Sequence, residues 1–429
     1  MLPKKYAQVD LKLIKSNISL NSGLALIDKS LEHSDFWKEI DEMSGSKKSN
    51  NGISASLKIR SEILSRISGA TAVEDVEVLR KDIGFKNMTG KQIISPDTII
   101  NFIADKETES LLKSVNEKLV SKALQASDLQ EYTYDNDATY FESLKDSAAY
   151  SYRETKDFSG LLGFIPELNL CVTMDLRAGN ISPRDGILKQ IQEMYNLCKI
   201  SKKKIKQIRL DSAGHNSEIF KFCNKEKIDF YITLAKNSAI KENVAQLSKW
   251  TKVDKDYKDN SIRERAEFIY ANNDESCEAI RAIVLRWKNK GQLELLADEY
   301  SYHVIGTNNL ERSQEEVLEI HAGRMGSENY NKELKEGYNI EWMPSNGFTK
   351  NANYFYLGIM AFNCVEFVKR FFIGKEVVPY RIKKFRHWFI KTCGKLIKSG
   401  RRYIFQVINA TDYTFDMFTK IHRRMQYIW

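Results

Sequence analysis

Between Leu129 and Leu234 short apolar runs alternate with stretches of helical periodicity, which confines this part of the chain to a mixed α/β sheet. The runs Leu129–Asp135, Leu168–Leu176, Ile205–Leu210 and Phe230–Leu234 are predicted strands, and Arg184–Cys198 and Ser217–Asn224 are predicted helices. From Trp250 to Ile305 the pattern turns to consecutive strands, Ala266–Tyr270, Ala279–Trp287 and Tyr302–Gly306, so a β insertion is expected at about 250–305 within the same domain. A helix is predicted from Ser313 to Glu336, with Gly337 as its stop.

The residues before this domain read as short helices. Apolar side chains recur at three- and four-residue spacing in Leu57, Ile59, Ile63, Leu64 and Ile67, and again in Ile99, Ile100 and Ile103. Ser95-Pro96-Asp97 is a helix start, with a capping hydroxyl, a proline at the first helical position and an acid in the first turn. The run Ser44–Ser56, rich in Ser, Lys, Asn and Gly, reads as a linker, and two short helices across Val73–Ile103 are either a helix-turn-helix or plain packing. A chain of 429 residues exceeds what one hydrophobic core sustains, roughly 250–300 residues. The expected segments are a helical domain at 1–125, the α/β domain with its insertion at 126–348, and a helical basic region at 349–429. Tyr354–Val365 is the most apolar stretch, but it contains Asn363, precedes Glu366 and falls short of the ~18–20 residues of a membrane span, so a buried helix is expected.

Charge is unevenly placed. Lys369–Trp429 holds 15 basic and 3 acidic residues, whereas the preceding 368 residues hold 51 and 54. With Tyr380, Phe385, Trp388, Phe389, Tyr403 and Phe405 interleaved, this tail either meets a polyanion or is a solvated basic face. Cys171, Cys198, Cys223, Cys277, Cys364 and Cys393 form no C-x-x-C pair for zinc and are expected to be reduced core thiols. Met1-Leu-Pro-Lys-Lys lacks the apolar core of a signal peptide, and a cytoplasmic, nucleoid-associated protein is expected.

Three acids carry the chemical signal. Asp137, in Tyr134-Asp-Asn-Asp-Ala-Thr139, and Asp211, in Ile208-Arg-Leu-Asp-Ser, stand at the ends of predicted strands, where sheet enzymes place reactive groups. Alone, each is a turn former or helix cap. Asp135 competes with Asp137, because residues two apart on a strand point the same way. On one continuous helix, at about 100° per residue, His321, Arg324, Glu328 and Lys335 fall within an arc of roughly 60°. That face is either a working surface or a salt-bridged helix exterior.

His321-x2-Arg324-x3-Glu328-x6-Lys335 resembles the Y-x2-R-x3-E-x6-K signature of DDE-type insertion-sequence transposases, with His in place of Tyr at the first position. The resemblance extends in order through Asp135–Thr139, Leu176–Asn180, Arg209–Ser212, Tyr231–Asn237, Trp342–Ser345 and Asn351–Tyr354. It implies a ribonuclease-H-like core with a β insertion, and a DNA endonuclease and recombination enzyme of a mobile element. Asp137, Asp211 and Glu328 would be its catalytic acids and would hold two Mg²⁺ ions, Mn²⁺ substituting; oxygen-only ligands suit such ions. His321, Arg324 and Lys335 would contact DNA phosphates, with His321 donating when protonated. Trp287 would either stack on a flipped base or sit in the core. The implied partners are double-stranded DNA, both terminal inverted repeats and target, and a second copy of the chain in a synaptic dimer. The competing expectations are an inactive DNA-binding descendant and a ribonuclease-H-like nuclease that cannot join strands.

Overall fold

The computed structural model describes residues 16–45, 52–253, 262–271, 274, 276–288 and 300–426. Met1–Lys5, residues 46–51 of the linker expected at Ser44–Ser56 and parts of the β insertion lie outside the described residues. The chain forms two compact units, Ile103–Phe367 on the one hand and Met1–Phe102 with Val368–Trp429 on the other. The three consecutive segments expected from the sequence thus give way to two units, one of them discontinuous.

The unit Ile103–Phe367 is built on one sheet of strands β1 (Glu131–Glu142), β2 (Ala149–Tyr150), β3 (Lys156–Ile165), β4 (Leu170–Ala178), β5 (Lys204–Leu210), β6 (Asp229–Thr233), β7 (Thr251–Lys252), β8 (Arg263–Tyr270), β9 (Ile280–Lys288) and β10 (Tyr300–Thr307). β1, β3 and β4 form an antiparallel meander, while β5 lies parallel beside β1 and β6 parallel beside β5. The resulting order, β4-β3-β1-β5-β6, is the ribonuclease-H-like arrangement. β10 pairs antiparallel with β6, so the insertion strands prolong the same sheet in the order β6-β10-β9-β8-β7.

β3 escaped the sequence reading because Gly160 and Gly163 interrupt its apolar run, and glycine weakens strand propensity. The fold requires the second of them. A Cβ at Gly163 would lie 2.1 Å from the Tyr134 hydroxyl and 2.2 Å from the Thr173 hydroxyl, two groups that hydrogen-bond to each other at 2.7 Å.

Helices of this unit are α1 (Glu107–Ala126), α2 (Ile187–Ile200), α3 (Ser217–Glu226), α4 (Ser238–Ala245), α5 (Gln314–Ala322), α6 (Gly326–Tyr338) and α7 (Phe348–Val368). The single helix expected over Ser313–Glu336 is two: α5 and α6 are separated by a 3-10 turn at Gly323–Met325. Ser313 and Glu316 cap the start of α5 reciprocally. α7 is buried almost throughout, and its asparagines satisfy backbone rather than solvent: Asn363 accepts from the Cys171 amide at 2.9 Å and donates to the Cys171 carbonyl at 2.6 Å. None of the described helices is long and apolar enough to cross a membrane.

The second unit packs N-terminal helices, among them Ser22–His33 and Ala55–Ser68, against the C-terminal tail. Ser19 and Gly394 exchange two backbone hydrogen bonds of 2.9 Å, and Arg386 donates to the carbonyls of Arg66 and Ile67, both at 2.8 Å. The tail is not all helical. Its β-branched and aromatic residues form a hairpin of β11 (Cys393–Ser399) and β12 (Arg402–Ile408), turned at Gly400 with φ of 63°.

Candidate active site

The site is organised by the alternation of β1. On one face, Asn136 donates to the Tyr134 hydroxyl at 3.0 Å and to Gln190 of α2 at 2.7 Å, a buried network that fixes the pleat. On the other face stand Asp135 and Asp137. Asp135 is fully buried and receives two hydrogen bonds of 2.6 Å from Arg209 of β5, a bidentate pair. Arg209 also donates to the carbonyl of Ile320 in α5 at 3.1 Å. Burial pushes the Asp135 carboxyl up, and Arg209 opposes the shift. This carboxylate is committed.

Asp137 has a different environment. Its side chain keeps 16% of its exposure, with Arg324 Nη1 3.4 Å from Oδ1 and Asn331 Nδ2 3.0 Å from Oδ2. Its pKa is pushed up to about 6, by burial first; Arg324 opposes, while the negative charges of Asp211 and Glu328 add to the rise. Asp211 follows directly on β5. Because Asn136 and Leu210 are register partners on parallel strands, Asp137 and Asp211 occupy the next positions along neighbouring strands, which run about 4.8 Å apart. The Asp211 carboxylate accepts from the Ala213 amide at 2.9 Å and caps the turn Ser212–Gly214. Glu328 lies in the first turn of α6 and is exposed.

The expected cations divide. Arg324 reaches Asp137, as above. Lys335 donates to the carbonyl of Tyr140 at 3.0 Å with its ammonium over the Phe141 ring, and burial lowers its pKa. His321 is buried, with Nε2 3.3 Å from the Leu210 carbonyl and 3.1 Å from the Thr233 hydroxyl. Burial, then the nearby His303 and Arg324, push its pKa down to about 3. The enclosed imidazole is uncharged, and its Nε2 is taken up by the Leu210 carbonyl and the Thr233 hydroxyl, so the role expected of a protonated donor to phosphate does not suit it. It ties α5 to the residue preceding Asp211 instead.

Two contributors went unnoticed in the sequence. Asn331 holds Asp137 from α6; it lies seven residues after Arg324 and four before Lys335, a helical spacing that places it on their face. Arg209 decides which of the two β1 acids is engaged, and only the β1–β5 register reveals that. Trp287 is half-buried with the Arg263 guanidinium 4.9 Å above its ring, so one of its faces is already covered. The six cysteines are unbridged, and all but the partly exposed Cys393 are buried.

The acids supply only oxygen donors, which in kind fits a hard divalent cation. In position the set is open: among the described residues no three His, Cys, Asp or Glu side chains stand close enough to share an ion. Asp137 is engaged by Arg324 and Asn331, and Asp211 by its own turn.

A family model described as transposase DDE domain, group 1, matches residues 2–428. No curated protein matches the chain. Among solved structures, one described as a cryo-EM structure of piggyBac transposase synaptic complex with hairpin DNA is similar at a TM-score of 0.45 and 11% sequence identity, over 86% of this chain and 79% of that one.

Proposed function

Because the chain belongs to the transposase DDE domain family, we propose that it binds the terminal inverted repeats of a mobile element, cleaves its ends and joins them to target DNA. The observation that carries this reading is the placement of the acids: Asp137 and Asp211 take adjacent positions on neighbouring parallel strands, and Glu328 lies in the first turn of α6, the helix whose Asn331 holds Asp137. Burial raises the pKa of Asp137 first; Arg324 opposes, and the charges of Asp211 and Glu328, from two other elements, add to the rise. Such a locus gains by binding cations.

In this reading Asp137, Asp211 and Glu328 hold divalent ions, Mg²⁺ with Mn²⁺ as substitute. Divalent ions held there would supply Lewis-acid stabilisation of the charge that develops at the reacting phosphate. The chain's own residues do the positioning. Arg324 moves from Asp137 to a phosphate oxygen beside the cleaved end, Asn331 keeps the Asp137 carboxylate oriented, and Lys335 fixes the end of β1 against α6. His321, by holding the Leu210 carbonyl, is a positioning residue for Asp211. In cleavage the oxygen of water bonds to phosphorus and the DNA 3′-oxygen departs with the bonding electron pair; in joining, that 3′-hydroxyl is the nucleophile, so one site serves both steps. The basic tail contributes counterion-releasing contacts to double-stranded DNA, and two copies pair the element ends.

The test is cleavage of the inverted-repeat ends flanking the gene, with Mg²⁺, by wild type and by Asp211→Ala and Glu328→Ala. Both variants should lose cleavage and joining while still binding the ends, since phosphate contacts dominate affinity. Undiminished cutting by either variant would overturn the assignment, and cutting without joining would point to a simple nuclease.

A further inference from the structure

The segment 143–155, which links β1 to β3, exposes three large apolar side chains: Leu144 at 89%, Tyr152 at 74% and Tyr150 at 72%. Single exposed apolar residues are ordinary; three within nine residues on a rigid connection are not. The connection is stapled along its length. Ser143 donates its amide to the Lys156 carbonyl at 2.8 Å, and the Ser151 amide donates to Thr155 at 2.9 Å. The hydroxyls of Ser151 and Thr155 both donate to one oxygen of the buried Asp157, at 2.5 and 2.7 Å. β2, within the segment, pairs with the start of β3. The tyrosines are therefore held out to solvent by a built support.

That support is coupled to the candidate active site. The Tyr152 ring meets Tyr140 edge-on with centroids 5.3 Å apart, and the exposed Arg153 places its guanidinium 5.9 Å from the same Tyr140 ring. Tyr140 stands three residues beyond Asp137, roughly 10 Å along β1, so its ring lies on the Asn136 face of the sheet and its link to the Asp137 face is through the backbone. Its carbonyl accepts the hydrogen bond from Lys335. Aromatic faces alternating with cations beside a phosphoryl-transfer centre match the chemistry of single-stranded nucleic acid, whose bases stack while its phosphates pair with guanidinium and ammonium groups.

We propose that the β1–β3 connection is a stacking platform for unpaired DNA leaving the active site, with Tyr150 and Tyr152 receiving bases and Arg153 an adjoining phosphate. The proposal rests on the reading of β1 as part of a transposase site. Neither tyrosine touches the reacting phosphate, so both are binding residues and not catalytic ones.

The test measures binding of a fluorescently labelled oligo-dT strand and of a blunt duplex of equal length, in EDTA, by anisotropy. Wild type is compared with Tyr150→Ala/Tyr152→Ala and with Tyr150→Phe/Tyr152→Phe, and sedimentation is followed in parallel. The alanine pair should weaken oligo-dT binding by roughly tenfold or more, change duplex binding by less than about twofold, and leave the folded state intact; the phenylalanine pair should bind as wild type does. Equal oligo-dT affinity for the alanine pair overturns the platform, as does failure of wild type to bind the single strand. A dimer that falls apart in the alanine pair while oligo-dT affinity stays unchanged would instead make the patch an interface between copies. Because no chemistry occurs in EDTA, these outcomes are independent of the cleavage assay on Asp211→Ala and Glu328→Ala, which decides the transposase reading.

Discussion

Asp135 and Asp137 share one face of one strand, yet their surroundings assign them opposite tasks. Asp135 faces a buried guanidinium in bidentate geometry, so Asp135→Asn should leave Arg209 with an uncompensated charge and cost about 3–5 kcal/mol in urea denaturation. Asp137 should behave in the opposite way. Its folded pKa, about 6, lies above the ordinary 3.8, so its contribution to stability is complete below about pH 4 and is lost as pH rises through 6. Asp137→Asn should therefore be more stable than wild type in EDTA at neutral pH, by an amount of order 2 kcal/mol that disappears near pH 4. Equal stability of the two proteins at pH 7.5 would mean that the carboxylate is not penalised. Both acids were visible in the sequence, but their different roles were not. The period of a strand makes residues two apart equivalent, and what separates them arrives from β5.

At the scale of elements, the helix carrying Arg324 and Glu328 shows where periodicity stops being informative. A helical wheel treats Ser313–Glu336 as one rod, and nothing in the local sequence reports that Arg209 occupies the space beside Gly323. A Cβ there would lie 2.1 Å from Arg209 Nη1. Gly323→Ala should thus dislodge either Arg209 from Asp135 or α5 from α6, at a cost of about 1–3 kcal/mol. Thermal unfolding would measure this, and a gain in stability, the usual result of Gly→Ala in a plain helix, would refute it. The parallel strands β5 and β6 and helices α2 and α3 were legible because their apolar patterns are uninterrupted. β3 and the β11–β12 hairpin were not, the first for its glycines and the second because basic residues punctuate its strands.

At the scale of the whole molecule, the chain returns to its beginning. Helices from the first hundred residues share backbone hydrogen bonds and a core with the last sixty, a pairing that no linear segmentation of the sequence could propose. Truncation after Phe367 should consequently strip the N-terminal helices of their partners; limited proteolysis is expected to degrade residues 16–102 in the truncated protein while sparing them in the full chain. The charge of the tail, in contrast, was plain from composition. If the hairpin cations Lys398, Arg401 and Arg402 meet DNA phosphates, changing all three to Gln should reduce the slope of log affinity against log salt by about 2.7. The central claim, that Asp137, Asp211 and Glu328 together form a cation site, is tested most directly by anomalous diffraction from crystals saturated with Mn²⁺. The expected map places manganese between the carboxylates of Asp137 and Asp211, with Glu328 turned toward it and Arg324 withdrawn. Manganese bound elsewhere, or none at saturation, would contradict the claim.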